Sequence, residues 1–373
     1  MLAQVSQLFG QDNSILGWIL QLSWLLLFVV FMFYGQRIQT WNMLREVEGS
    51  LVRFKLMRDE GRKVAISTIK EVGKPQADPT AEVDRFLEYV ALPPAEMDPA
   101  GIYWKLEHVL DVWDARVKDE VRHMAPEASE AEVNNLENLL GAALALNVYY
   151  KFVRHFYTLG KKTMSLYVIM QVQMALPLLM REAKAHLSAL RASTEGQPIG
   201  DGAGALVAAK LMREYEKTRI AKDVVMAKVP LEGRTAFVLK AEGPGGNAGK
   251  PGDAIKRIIE ENGGNIASAI IVDAGQKWEG EKVGEVIEGV GVAIGGIGID
   301  RFKVDETVLK HRVPVHAVVI KEDLGDAIST MRKEIVDAAD VAIDRIKRLI
   351  REGTREGDSV IIAGIGNTMG IGQ

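Results

Sequence analysis

The chain has 373 residues, 26% of them charged, and a formal net charge of −4, which excludes an electrostatically driven nucleic-acid binder. It has no cysteine, so disulfides, thiolate metal sites and a cysteine nucleophile are excluded as well. The length suits about two domains, each with its own core, and much of the 47% apolar content gathers at the N-terminus.

No charge falls between Asn13 and Gln36, and Ile15–Tyr34 (ILGWILQLSWLLLFVVFMFY) is mostly large and apolar. About 20 such residues, rising ~1.5 Å each, match the ~30 Å hydrocarbon core of a bilayer. Trp18, Trp24, Tyr34 and Trp41 suit the interface. A cleaved signal peptide fits poorly, since no basic region precedes the run and no small-residue cleavage site follows it. Only Asp12 precedes it, whereas Arg37, Arg45, Arg53, Lys55, Arg58, Arg62 and Lys63 follow. The positive-inside rule then predicts a single-pass cell-membrane protein with its N-terminus outside and its body in the cytoplasm. The lipid bilayer is thus the first expected partner.

Residues 37–72 keep apolar side chains at helical spacing and predict a juxtamembrane helix. Its basic residues would rest on anionic headgroups or form a solvated face. KPQADPT (Lys74–Thr80) predicts a break, and Leu92–Pro99 a second rigid, extended element. Gly101–Ala192 reads as helical throughout. Met164–Met180 resembles a second span, but Gln171, Gln173 and Pro177 favour a buried core helix kinked near the proline. His108, His123, His155 and His186 lack metal-ligand spacing and read as ordinary surface or core histidines. Small and aromatic residues in Gly141–Tyr157 suit close helix packing, internal or within a homo-oligomer. The expected division is 1–36 tail and transmembrane helix, 37–80 juxtamembrane helix and linker, 81–195 helical domain, and 196–373 α/β domain.

After Thr194 strands alternate with helices, which predicts an α/β fold with a mainly parallel sheet and helices on both faces. Strands are expected at Thr235–Lys240, Ala269–Val272, Val313–Ile320 and Ser359–Ala363, with helices at Ala254–Asn262 and Ile328–Ile350. Loops beyond the carboxyl ends of parallel strands gather chemistry. That rule predicts Glu242, Asp273, Lys321 and Asn367 near one another, with Gly200–Gly204 beside them. No glycine loop fits a Walker A or dinucleotide pattern: GPGGNAGKPGD lacks the Gly-Lys-Ser/Thr, and Gly289–Gly298 opens no predicted helix.

Two resemblances rest on these motifs. The span, the central helices, GQPIGDGAGALVAAKL and EGVGVAIGGIGIDRFKVDE resemble an archaeal family of membrane-anchored proteins, defined as a domain of unknown function. It implies a membrane location and no activity. More distantly, residues 197–373 resemble the hydrogenase-maturation-protease and germination-protease type of phosphorylase/hydrolase-like fold. The matching parts are GIGNTMG (Gly364–Gly370), GDGAGALVA (Gly200–Ala208) and IIVDA (Ile270–Ala274), in an order that looks circularly permuted.

By that resemblance the functional acids are Asp201 and Asp273, and the sheet-edge rule sets Gly200, Gly202, Glu242, Lys321 and Asn367 around them. Paired carboxylates can share a proton, as hydrolytic acid–base chemistry requires. They could equally hold a divalent cation with Asn367 or Glu242. The resemblance implies a peptidase-like hydrolase acting on a protein or peptide. A homo-oligomeric membrane scaffold, or a metal- or anion-binding module on the same cleft, are the alternatives. Taken as structure alone, Asp201 would be a helix N-cap and Asp273 a loop-stabilising carboxylate.

Overall fold

The computed structural model describes residues 15–90, 101–296 and 298–373. The N-terminal tail and the expected extended element at Leu92–Pro99 lie outside the described residues. The helices before the sheet are α1 (Ile15–Gly73), α2 (Thr80–Phe86), α3 (Ile102–Met124), α4 (Glu130–Thr163) and α5 (Leu166–Glu195). The chain divides into two compact units, Met1–Lys55 with Tyr149–Leu179, and Leu56–Val148 with Met180–Gln373.

In the first unit the apolar side chains of α1 from Trp18 to Met32 stand exposed, Leu26 at 68%. Among the described residues no single helix is long and apolar enough to cross a membrane. One bent pair, Trp18–Met32 with Tyr34–Gly73, does so only together, meeting at 52°. The sequence predicted one uninterrupted span. Leu44 and Val47 of α1 are buried, as are Ile169 and Val172 of α5. The opposite face of α5 is open: Tyr167 is 65% exposed and Met174 76%. The expected buried core helix at Met164–Met180 is therefore buried on one face only, and Pro177 lies inside it.

The second unit holds the α/β domain and the helices packed against it. Following a one-turn 3-10 segment (Gly200–Gly202) come α6 (Ala203–Met212), β1 (Thr218–Ala221), β2 (Val224–Leu231), β3 (Arg234–Ala241) and α7 (Pro251–Glu261). Then come β4 (Ser268–Gln276), β5 (Val286–Val290), α8 (Ile299–His311), β6 (Val315–Glu322), α9 (Leu324–Ile328), α10 (Lys333–Gly353) and β7 (Ser359–Gly364). The sheet order is β1-β2-β3-β7-β4-β6-β5. Strands β3, β7, β4 and β6 are mutually parallel. Both edges are antiparallel, β1 and β2 on one side and β5 on the other.

The sheet is therefore mixed, where the sequence predicted a mainly parallel one. The reason is local. Glu232 and Gly233 carry φ of 50° and 74°, the left-handed turn geometry that folds one strand back antiparallel on the next. A parallel return would need a long crossover.

Period-two alternation splits the core. Val238, Ile270, Val272 and Ile362 face α6 and α10, whereas Leu239, Ala269, Ile271 and Ile361 face α7 and α8. With both faces covered, the central strands read as unbroken apolar runs. β7, last in the chain, sits between β3 and β4 and so delivers the C-terminal loop to the middle of the sheet edge.

Candidate functional site

Asp273 is not at the end of its strand, as the sequence suggested. β4 continues to Gln276 alongside β6, and Asp273 pairs in register with Val319. What ends is the neighbour: β7 stops at Gly364 opposite Val272, and Ile365 makes the last link by donating its N–H to Val272 O at 2.8 Å. The gap left beside β4 turns Asp273 toward the edge while leaving it buried, at 6% exposure. Its carboxylate accepts two backbone N–H groups, from Ala274 at 2.8 Å and Gly295 at 3.0 Å.

Asp201 arrives from the other side on the 3-10 turn before α6. The start of α6 lies flush on the strand ends, and a Cβ on Gly204 would collide with Val272 O and Ile365 O. Gly366, at φ 117°, admits no side chain either, because Asp201 O occupies that space. These two glycines bring the GD turn and the GIGN turn into contact. The Asn367 N–H then donates to Asp201 Oδ2 at 2.8 Å. Asp201 is no N-cap: α6 has no side-chain cap.

Asp201, Asp273, Gly295 and Asn367 form the floor of a cleft of about 820 Å³ within the second unit. The facing wall comes from α3, α4 and α5, with Asp114, Asn134, Glu137, Asn138 and His186. Asn138 fastens the two walls: its Oδ1 accepts from Asn367 Nδ2 at 3.0 Å, and its Nδ2 donates to Gly246 O at 2.7 Å. At the rim, Lys250 reaches Asp111 at 2.7 Å, and Lys303 reaches both Glu107 and Asp253.

Burial raises the pKa of Asp201, with the Asn367 hydrogen bond opposing. Burial, then the charge of Asp201, pushes Asp273 up to about 7, against its two N–H donors. Behind Gly200 lies Glu322, 2% exposed, with neither carboxylate oxygen hydrogen-bonded. Burial first, then Asp201 and its other acidic neighbours, push it up to about 8. On the helical wall burial takes Glu137 to about 7 and lowers the pKa of His186.

Of the residues that the sequence predicts together, Asp201, Asp273 and Asn367 share the cleft. Gly200 and Gly202 are buried in the turn that carries Asp201, under Asp326 O and Asn367 O. Glu242 and Lys321 do not line the cleft. Glu242 turns outward to an ion pair with Arg219 of β1. Lys321 turns to Glu281 at 3.0 Å and lies 5.7 Å from the Trp278 ring.

Sequence reasoning passed over Glu137 and Glu322, and read His186 as an ordinary surface or core histidine. Glu137 carried a usable signal, because it stands beside Leu136, Leu139 and Leu140, all buried, on one helix. A resident divalent metal does not fit these donors. Each Asp273 oxygen and Asn367 Oδ1 already gives one of its two lone pairs to an N–H group. Among the described residues, no group of three or more His, Asp or Glu side chains is arranged to hold one.

Two family models match the chain. Residues 21–196 match "Protein of unknown function (DUF1512) N-terminal domain", and residues 199–372 match "Domain of unknown function (DUF1512) C-terminal". No curated protein matches.

Proposed function

The chain belongs to the DUF1512 family, and we propose that it is a membrane-anchored, peptidase-like hydrolase in which Asp201 and Asp273 share one proton. The observation that carries this reading is the pair itself. Two carboxylates lie on the floor of one cleft, and the charge of Asp201 helps hold the proton of Asp273 to about pH 7. Like charges brought together out of water favour a singly protonated pair. The resemblance of the GD, GIGN and Asp-Ala motifs to the maturation and germination proteases supports the same assignment.

With one proton on the pair, the ionised carboxylate takes a proton from water as the water oxygen bonds to the carbonyl carbon and the C=O π pair moves onto its oxygen. The carbonyl then re-forms as the C–N bond breaks and the protonated carboxyl gives its proton to the leaving amine. One proton has entered and one has left, so the pair is reset. The side-chain amide of Asn134 lines the same cleft and suits a peptide backbone. An anionic ligand would meet this acidic floor unfavourably, which favours hydrolysis over anion binding.

The bent apolar helix at Trp18–Met32, followed by a basic segment, supports a bilayer anchor with the body on the cytoplasmic side. The test is digestion of a mixed-peptide library by the detergent-solubilised full-length protein, read by mass spectrometry. Asp201→Asn and Asp273→Asn should each lower cleavage by about 10²-fold or more. Undiminished cleavage by either variant, with wild-type circular dichroism, would sink the proposal.

A further inference from the structure

The turn joining α4 to α5 belongs to the first compact unit, with the apolar part of α1. Two contacts set its height. Gln173 hydrogen-bonds Glu46, and Gly160 lies under Ile169 with Leu44 beyond. Leu44 with Ile169, and Glu46 with Gln173, advance in the same direction, so α5 runs parallel to α1 at an offset of 127 residues at that bond. Carried back along two helices of equal rise, Ser165 and Leu166 at the start of α5 stand level with Ile38 and Gln39.

That is about one helical turn past Tyr34, or roughly 6 Å. The headgroup layer on each side of the hydrocarbon core is of that thickness, roughly 5–7 Å. The turn therefore reaches the bilayer surface whenever Trp18–Met32 is inside it.

Its chemistry suits that surface. Lys161, Lys162 and Met164 are exposed, and Tyr167 is 65% exposed. From Asn138 to Arg181 the chain has no Asp or Glu, while Lys151, Arg154, Lys161, Lys162 and Arg181 all fall there. Basic side chains beside an amphipathic ring and a methionine match anionic headgroups over a shallow apolar layer. Arg37, exposed at the same height on α1, adds to the charge.

We propose that the α4–α5 turn, Lys161–Tyr167, is a second membrane contact, seated on anionic headgroups beside the anchor. It rests on the anchor reading above and adds a place where lipid charge acts on the helical arm. Two attachment points would hold the arm at a fixed height, where an anchor alone would leave it free to swivel.

The chain has no cysteine, so single spin labels can be placed cleanly. Full-length protein carrying a label at Thr163→Cys, Leu26→Cys or Val341→Cys is reconstituted into vesicles of equal parts phosphatidylcholine and phosphatidylglycerol. A nickel-chelating headgroup lipid supplies the relaxation probe. The label at 163 is expected to relax strongly, the label at 341 weakly, and the Lys161→Glu/Lys162→Glu double variant should lose the effect at 163 while still co-floating. Co-flotation with a label at 163 that relaxes no more than the one at 341 overturns the second contact alone. So does dipolar broadening at 163 without nickel relaxation, which would mean that a second copy covers the turn. Loss of co-flotation together with a water-exposed label at 26 overturns the anchor, and this contact with it.

Discussion

Glu322 shows how burial sets chemistry at a single residue. A carboxyl removed from water with no donor for either oxygen stays protonated far above its ordinary range. Its raised value means that the folded state holds a proton which the unfolded chain has already released. The penalty is absent below the unfolded pKa, and stability is lost as pH rises toward and through about 8. Glu322→Gln should therefore stabilise little near pH 4 and increasingly at higher pH. We expect about 1–3 kcal/mol above pH 8, a rise of a few degrees in thermal midpoint, read by paired melts at low and high pH. The same sign applies to catalysis. With Asp273 near 7, cleavage should fall as pH rises through about 7 and the pair loses its shared proton, and a flat rate from pH 6 to 9 would count against the mechanism.

At the scale of elements, the site depends on close backbone approach. Gly204→Ala would force a Cβ between Val272 O and Ile365 O, and should cost about 1–3 kcal/mol by overpacking, measured by denaturant unfolding. The rim has a second fastening. Lys303, 9% exposed, joins α8 to Glu107 of α3 and Asp253 of α7, while Tyr103 stacks on Phe302 with ring centroids 4.0 Å apart. Lys303→Met leaves Glu107 in place without one of its cationic partners. It should loosen α3 by roughly 1–3 kcal/mol, less than a fully buried pair because Asp253 is well exposed, and hydrogen exchange across Ile102–Met124 should speed up.

The elements also show which parts of the site the sequence could reveal. Asp201, Asp273 and Asn367 were legible because each follows a glycine-rich or strand-end motif whose backbone fixes its direction. Glu242 and Lys321 occupy comparable motif positions, yet their long side chains turn to partners the sequence did not reveal. Arg219 lies on the short edge strand β1, and Glu281 in the loop before β5. The sheet is mixed because β2 and β3 form a hairpin and β5 pairs antiparallel with β6, and neither β2 nor β5 was read from the sequence. β1 is only four residues long, too short for its alternation to be read.

At the scale of the whole molecule, the chain combines an apolar N-terminal helix, a helical region and an α/β domain, and the two family models divide it between residues 196 and 199. What composition could not give was the second wall of the cleft. Asn134, Glu137 and Asn138 lie over a hundred positions from Asp273, on a helix whose polar residues read as surface. Only the packed structure brings them opposite the aspartates.

The central claim is that Asp201 and Asp273 hold one proton between them at neutral pH. A difference infrared titration of the protonated-carboxyl stretch, wild type against Asp201→Asn and Asp273→Asn, tests it most directly. The account predicts a carboxyl that deprotonates near pH 7 in the wild type and is absent from Asp273→Asn. In Asp201→Asn the remaining Asp273 should titrate lower, because the neighbouring charge that raised it is gone. Both aspartates fully ionised by pH 5 in the wild type would contradict it.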